Sequence, residues 1–453
     1  MKQAPPSLPG LPLLGSALDF ARHRKAFLRR GYERIGPVFT FKLGPKPAVV
    51  LIGPDYQQFF FTETDQRLSI DKPYEMLAAI FGKVAFLASK DIYKEQRPIL
   101  HAPFRAEKMV RYAEIMQREV QRWLDGLGAE GEIEITREMG LLVQQVAGCA
   151  LMGDDFQNRL GREFWDLYLT LGKSLDFVVP PNWPTPKNIA RDRAKQRMRE
   201  MLLPIIAERR RNPEAYDDFL QDFVNTRGRS GALADDETVM ALLRGLMFAS
   251  HETTAGQAAW TVIELIRHPD YRALVEEEIA ANLPPGRAID HHVMRNLEHI
   301  AWAVREGERL HPSADILMRV AEEDIEVGDY LIPRGWLVVV SSAVAHRSGD
   351  LFQSPEQFDP LRYSPGRAED KQHRFALIGF GGGVHKCAGM NFANNEMMII
   401  TALLFQQFEL ELVDRDPRIR YGMGAVRPTP TRNRYRRKPA ASRTEEQLER
   451  QVA

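Results

Sequence analysis

Apolar and polar positions alternate along residues 36–53 (GPVFTFKLGPKPAVVLIG) between glycine and proline breaks, which predicts a β-hairpin near the start of the chain. From about 106 to 310 the apolar positions recur with helical spacing. They are interrupted at VVPPNWPTP (178–186), RGRSGAL (227–233) and LPPGR (283–287). Short strands are expected again at 323–327 and 336–343, and a final apolar helix follows Cys387 through NFANNEMMIITALLFQQF. The pattern is that of a mainly α protein with small β-sheets, in the α+β class. No internal repeat and no interdomain linker interrupts it. The polar residues 439–453 read as a frayed tail behind a single domain spanning 1–438.

The longest periodic stretch runs from about Asp235 to His268. It has acidic residues at its start and a proline just beyond its end. As one helix it would be roughly 50 Å long, enough to cross the molecule. In its apolar middle lies ASHETTAG (249–256), and burying a glutamate and two threonines there carries a cost unless something uses or satisfies them.

Composition narrows the functional classes. Lysine plus arginine equals aspartate plus glutamate at 61 each, so no global field draws the chain to nucleic acid. Two cysteines in 453 residues can supply neither a four-thiolate metal site nor a disulfide framework, which points to a reducing, cytoplasmic setting. The proline-broken N-terminus offers neither a spanning helix nor a secretory signal.

Cys387 sits in ALIGFGGGVHKCAGM (376–390), glycine-rich and just ahead of the last apolar helix. A thiolate can bind haem iron axially if its charge is stabilised by N–H groups, and a following helix aims its N-terminal dipole at the sulfur. The alternative is an inert buried cysteine beside a glycine loop, the reading that suits Cys149.

The spacing Phe380-x-x-Gly383-x-His385-x-Cys387-x-Gly389 resembles the haem-binding signature of the cytochromes P-450. The resemblance extends from PPSLPGLPLLG to RYRR and implies that family's fold, a long central helix lying over haem b. It implies Cys387 as the iron ligand, with Phe380, Gly381, Gly383 and Gly389 shaping the loop and His385 at a propionate. Glu306-x-x-Arg309 resembles the family's Glu-x-x-Arg pair, which locks to a downstream arginine, here Arg362. ASHETTAG resembles the oxygen-activation motif, with Glu252 and Thr253 relaying protons to dioxygen, although Ser250 stands where a glycine is usual. The alternative for this pair is a threonine bonded back into its own helix and a glutamate paired with a distant cation. By motif position Arg97 and Arg319 join His385 at the propionates, and Tyr74 adds a hydroxyl; Tyr93 stands where many relatives carry tryptophan.

Within the superfamily, YEMLAAIFGKVAF (74–86) and RLHPSADILMRVAEEDIEV (309–327) are similar to segments of sterol 14-alpha-demethylases. Ala79 replaces a proline expected there, and Glu252 replaces a histidine. The resemblance implies a monooxygenase hydroxylating or oxidatively demethylating a sterol, triterpenoid or other terpenoid. Leu77, Ile80, Phe81, Phe86, Ala249, Ile316 and Leu317 would line its pocket, and the loop around 175–186 would form its entrance. Dioxygen and a ferredoxin or flavoprotein electron donor, docking near Lys386, complete the expectation for a monomeric enzyme. The alternatives are a peroxide-using or redox-neutral haem-thiolate enzyme, a fatty-acid or small-terpenoid hydroxylase, and a haem-binding carrier or sensor.

Overall fold

The computed structural model describes residues 2–85, 88–176, 179–422 and 424–439. Its first part comprises α1 (Ala17–Ile35), β1 (Val38–Leu43), β2 (Lys46–Leu51), α2 (Pro54–Glu63), β3 (Leu68–Ser69), α3 (Glu75–Phe81), α4 (Lys90–His101) and α5 (Ala106–Asp125). After β4 (Glu130–Glu134) come the helices α6 (Ile135–Met152), α7 (Gly161–Lys173), α8 (Pro186–Arg211), α9 (Phe219–Asn225), α10 (Asp236–Arg267), α11 (Pro269–Asn282), α12 (His291–Asn296) and α13 (Glu298–Leu310). The remainder holds β5 (Leu317–Ala321), β6 (Ile325–Val327), β7 (Tyr330–Ile332), β8 (Leu337–Val340), α14 (Ser342–Ala345), α15 (Met390–Gln407), β9 (Phe408–Leu412), β10 (Ile419–Tyr421), β11 (Val426–Pro428) and β12 (Arg432–Arg437).

The long helix forms as its sequence requires. The Asp235 side chain accepts the Thr238 N–H at 2.7 Å, Asp236 and Glu237 sit in the first turn, and Pro269 follows the end. Apolar residues on every face bury α10, which packs against α6, α13 and α15 in the main helical core. The expected hairpin is β1–β2, paired antiparallel from Val38 opposite Leu51 to Leu43 opposite Lys46. It belongs to a five-stranded sheet in the order β1-β2-β8-β5-β3, with β2 and β8 parallel.

The basic run RNRYRR forms β12, the middle strand of the sheet β4-β12-β9. Asn433 and Tyr435 turn inward while Arg434 reaches Glu132 at 3.2 Å and Glu411 at 3.6 Å, so Arg432, Arg434 and Arg436 share the outward face. The tail beyond 439 lies outside the described residues. Among the described residues no helix is long and apolar enough to cross a membrane.

Candidate functional site

The loop before α15 is shaped by glycines at positive φ, +71° at Gly381 and +65° at Gly383, where a Cβ on Gly383 would also meet the Phe61 carbonyl at 2.9 Å. The Cys387 N–H donates to the Phe380 carbonyl at 2.9 Å and closes the loop, while Phe380 packs on the helical core. Upstream, the Ile378 N–H donates to Nε2 of the buried His346 at 2.8 Å.

Cys387 is accessible although protein surrounds it densely, as befits a group on the wall of a recess. Burial pushes its thiol up. The Gly389 N–H bonded to the sulfur pulls it back down, and the Glu308 carboxylate raises it again. Gly389 is also the N-cap of α15, so the sulfur meets the positive end of that helix. Cys149 differs: it is buried in apolar core and approached by the amides of Gln145 and Gln157.

Behind this loop the Glu-x-x-Arg pair is fully buried and bidentate, with Arg309 Nε and Nη2 each 2.8 Å from Glu306. Arg362 Nε reaches the same carboxylate at 3.1 Å and its Nη1 reaches Glu369 at 2.6 Å. Arg309 also donates to the carbonyls of His346, Pro355 and Gln357, tying α13 to the segment that leads into the cysteine loop.

Arg319, Tyr74 and His385 gather around the end of α2. The Arg319 guanidinium is 3% exposed, donates to Thr64 Oγ1 (3.0 Å) and the Met318 carbonyl (2.8 Å), and has no carboxylate partner among the described residues. Burial lowers its pKa to about 10. Tyr74 accepts the Met318 N–H at 3.1 Å, which leaves its hydroxyl proton to give. His385 Nε2 pairs with Asp65 at 2.7 Å, its ring lies 4.0 Å from that of Tyr93, and its buried Nδ1 has no partner. Arg97 is exposed on α4 beside Tyr93 and makes no ion pair among the described residues. A buried unpaired guanidinium and an orphaned ring nitrogen next to the cysteine loop fit the two carboxylates of a haem.

On α10, residues Phe248, Ala249, Ser250 and Thr253 are half-buried in an otherwise enclosed helix, so this face borders a cavity. Thr253 Oγ1 donates to the Ala249 carbonyl at 2.6 Å, and the Ser313 hydroxyl donates to the Thr253 carbonyl at 2.9 Å. Glu252 is buried 3.6 Å from Arg427 on β11, with its Oε2 unbonded. Both features of the non-catalytic alternative are therefore present at once. Thr253 Oγ1 accepts no hydrogen bond among the described residues, and the Arg427 side chain beside Glu252 is 31% exposed. Arg427 escaped sequence reasoning because nothing in its local sequence marks it.

Of the expected pocket residues, Leu77, Ala249, Ile316 and Leu317 are half-buried, whereas Ile80 and Phe81 are core residues. Phe81 packs on Phe248 of α10 with ring centroids 4.4 Å apart. Phe86 and part of the expected entrance loop lie outside the described residues.

A cysteine loop capped by a helix N-terminus, in a fold built around a long central helix and with the Arg319 guanidinium and His385 Nδ1 left without acceptors of opposite charge, fits a haem-thiolate protein. The family model for cytochrome P450 matches residues 5–433, and the chain belongs to that family. Its members are monooxygenases whose haem iron carries a cysteine thiolate, which act with dioxygen and a redox partner on lipophilic substrates. The chain is 32% identical to the sterol 14-demethylase of Arabidopsis thaliana over 429 residues, covering 92% of this chain and 88% of that one. It is 32% identical to the sterol 14alpha-demethylase of Mycolicibacterium vanbaalenii over 408 residues, covering 88% and 89%. The human lanosterol 14-alpha demethylase is 28% identical over 426 residues, covering 91% and 82%. Among solved structures, the retinoic acid-bound cyanobacterial CYP120A1 superposes with a TM-score of 0.86 at 24% identity, covering 97% of this chain and all of that one.

Proposed function

We propose that residues 1–438 form one haem domain that oxidises a sterol or a terpenoid of similar bulk, with Cys387 as the iron ligand. The observation that carries this reading is the Gly389 N–H bonded to the Cys387 sulfur at the start of α15, the arrangement a thiolate ligand needs. Arg319, His385 Nδ1, Tyr74 and Arg97 would hold the propionates. The haem, when bound, supplies the oxidative chemistry; the chain binds, orients and delivers protons. Glu252, held by Arg427, would take up protons from solvent and hand them through water to the Thr253 hydroxyl on the cavity face of α10. Leu77, Ala249, Ile316 and Leu317 offer apolar contact, with Phe81 and Ile80 stiffening the wall behind them.

Kinship with sterol 14-demethylases over most of the chain favours a sterol-sized substrate. Glu252 and Ala79, at positions where those enzymes carry histidine and proline, favour a relative with shifted specificity over 14-demethylation itself. A ferredoxin or flavoprotein would dock beside the exposed Lys386, and the chain would act as a cytoplasmic monomer. The test is titration of the purified holoenzyme with sterols, triterpenes, smaller terpenoids and fatty acids while the Soret band is followed. A sterol-induced shift with turnover under NADPH and surrogate redox proteins is expected. Shifts by smaller terpenoids alone would refute the sterol reading, and turnover with hydrogen peroxide but not with reductant would move the protein to the peroxide-using class.

A further inference from the structure

Just beyond the end of α3, a solvent-open pocket of about 560 Å³ lies between Gly82 and Lys83, α4, α8 and the first turns of α10. Arg244 projects into it from α10, nine residues before Thr253 and so about 14 Å along the axis. Its side chain is 95% buried by a residue exposure of 5%, its Nε is enclosed without a hydrogen-bond partner, and it makes no ion pair among the described residues. A Cβ on Gly82, across the cavity, would lie 3.9 Å from Arg244 Nη2.

Besides Arg199, which pairs with Glu237, two further cations line the same space. Lys195 donates only to the Ala79 carbonyl, at 2.9 Å, and Lys83 is exposed at the rim; neither has an ion-pair partner among the described residues. The acidic side chains of the lining are already engaged: Asp192 by Arg191 at 2.8 Å, Glu237 by Arg199 at 2.7 Å, and Asp235 as the cap of α10. An unbonded acceptor, Gln96 Oε1, faces the same region. A buried guanidinium left unpaired beside two lysines calls for an anion. The volume falls within the range of about 300–1,000 Å³ typical of small organic ligands and is too large for a single inorganic oxyanion.

From this juxtaposition we infer that Arg244, Lys195 and Lys83 form a second binding site, separate from the haem cavity, for a small organic carboxylate. The site stands whether or not the substrate is a sterol.

The test uses the holoenzyme in equilibrium dialysis with radiolabelled dodecanoate and 2-naphthoate, with dodecanol and inorganic phosphate as controls and the Soret band monitored throughout. At least one carboxylate should bind without moving the Soret band, and Arg244→Gln should weaken that binding about tenfold or more, as expected for loss of a charge-assisted bond. Arg244→Lys should restore most of it, while dodecanol should not compete. Lys195→Gln, less buried, should weaken binding in the same sense and serves if Arg244→Gln fails to fold. Unchanged affinity in these variants, binding of neither carboxylate, binding that always tracks the Soret shift, or phosphate binding as tightly as the carboxylates would each overturn the assignment.

Discussion

Replacing Arg319 with methionine should act in opposite directions on the protein with and without haem. The guanidinium is buried without a carboxylate, and the drop of its pKa to about 10 corresponds to roughly 3 kcal/mol against the charged form in the folded chain. Methionine keeps most of the volume and removes that burden, at the cost of two hydrogen bonds, to Thr64 Oγ1 and the Met318 carbonyl, worth about 1–2 kcal/mol together. The haem-free variant should therefore be as stable as the parent or more so. With haem bound, the same change deletes a charge-assisted bond to a propionate, and affinity should fall about ten- to a hundredfold. Thermal unfolding followed by circular dichroism measures the first effect, and the rate of haem transfer to excess apomyoglobin measures the second. A haem-free variant that melts well below its parent, or a haem-loss rate unchanged by the substitution, would show that Arg319 is an ordinary structural cation and refute the propionate assignment.

Cys387→Ser should abolish the red-shifted ferrous carbonyl band that thiolate ligation produces, whereas Cys149→Ala should leave it intact; carbonyl difference spectra decide. Glu306→Gln strips the shared carboxylate from two fully buried arginines and should cost about 3–5 kcal/mol, read as a lowered unfolding midpoint with loss of haem. Glu252→Gln and Arg427→Ala should each cut product formed per electron consumed by roughly 10- to 100-fold while hydrogen peroxide release rises; tight coupling in both variants would remove the relay. Burial holds His251 neutral with a pKa of about 4, below that of a free imidazole, so the unfolded chain binds the proton more readily. Its contribution is therefore complete above about pH 6.5 and is lost as the pH falls toward 4, by about 3 kcal/mol. His251→Gln should flatten that part of an acid denaturation curve.

What the sequence disclosed follows the range of the interactions involved. The cysteine loop was legible because its glycines, its cysteine and the start of α15 are contiguous, and each is demanded locally by backbone geometry or by the helix dipole. The span of α10 was legible from the cap at Asp235 and the stop at Pro269. The pairing of Glu306 and Arg309 lies within one helical turn, but their partner Arg362 could be placed only through resemblance. Contacts between distant segments left no local trace: Glu252 with Arg427, His385 with Asp65, His346 beneath Ile378, and the three strands around Tyr435. Ile80 and Phe81 show a related limit, since an apolar run near a pocket does not tell which side chains face the ligand and which face the core.

The sheet β4-β12-β9 has a bearing on how the molecule comes into being. Its central strand is the last regular element among the described residues, and it bridges residues 130–134 to residues 408–412. A growing chain therefore holds the β4 and β9 edges unpaired until residues 432–437 have emerged, and closing the β4 edge is a contact of very large sequence separation, slow to form. Shortening the polypeptide by even the residues of β12 would leave those edges open for good, so C-terminal deletions reaching Arg437 should yield aggregates during synthesis instead of a smaller enzyme.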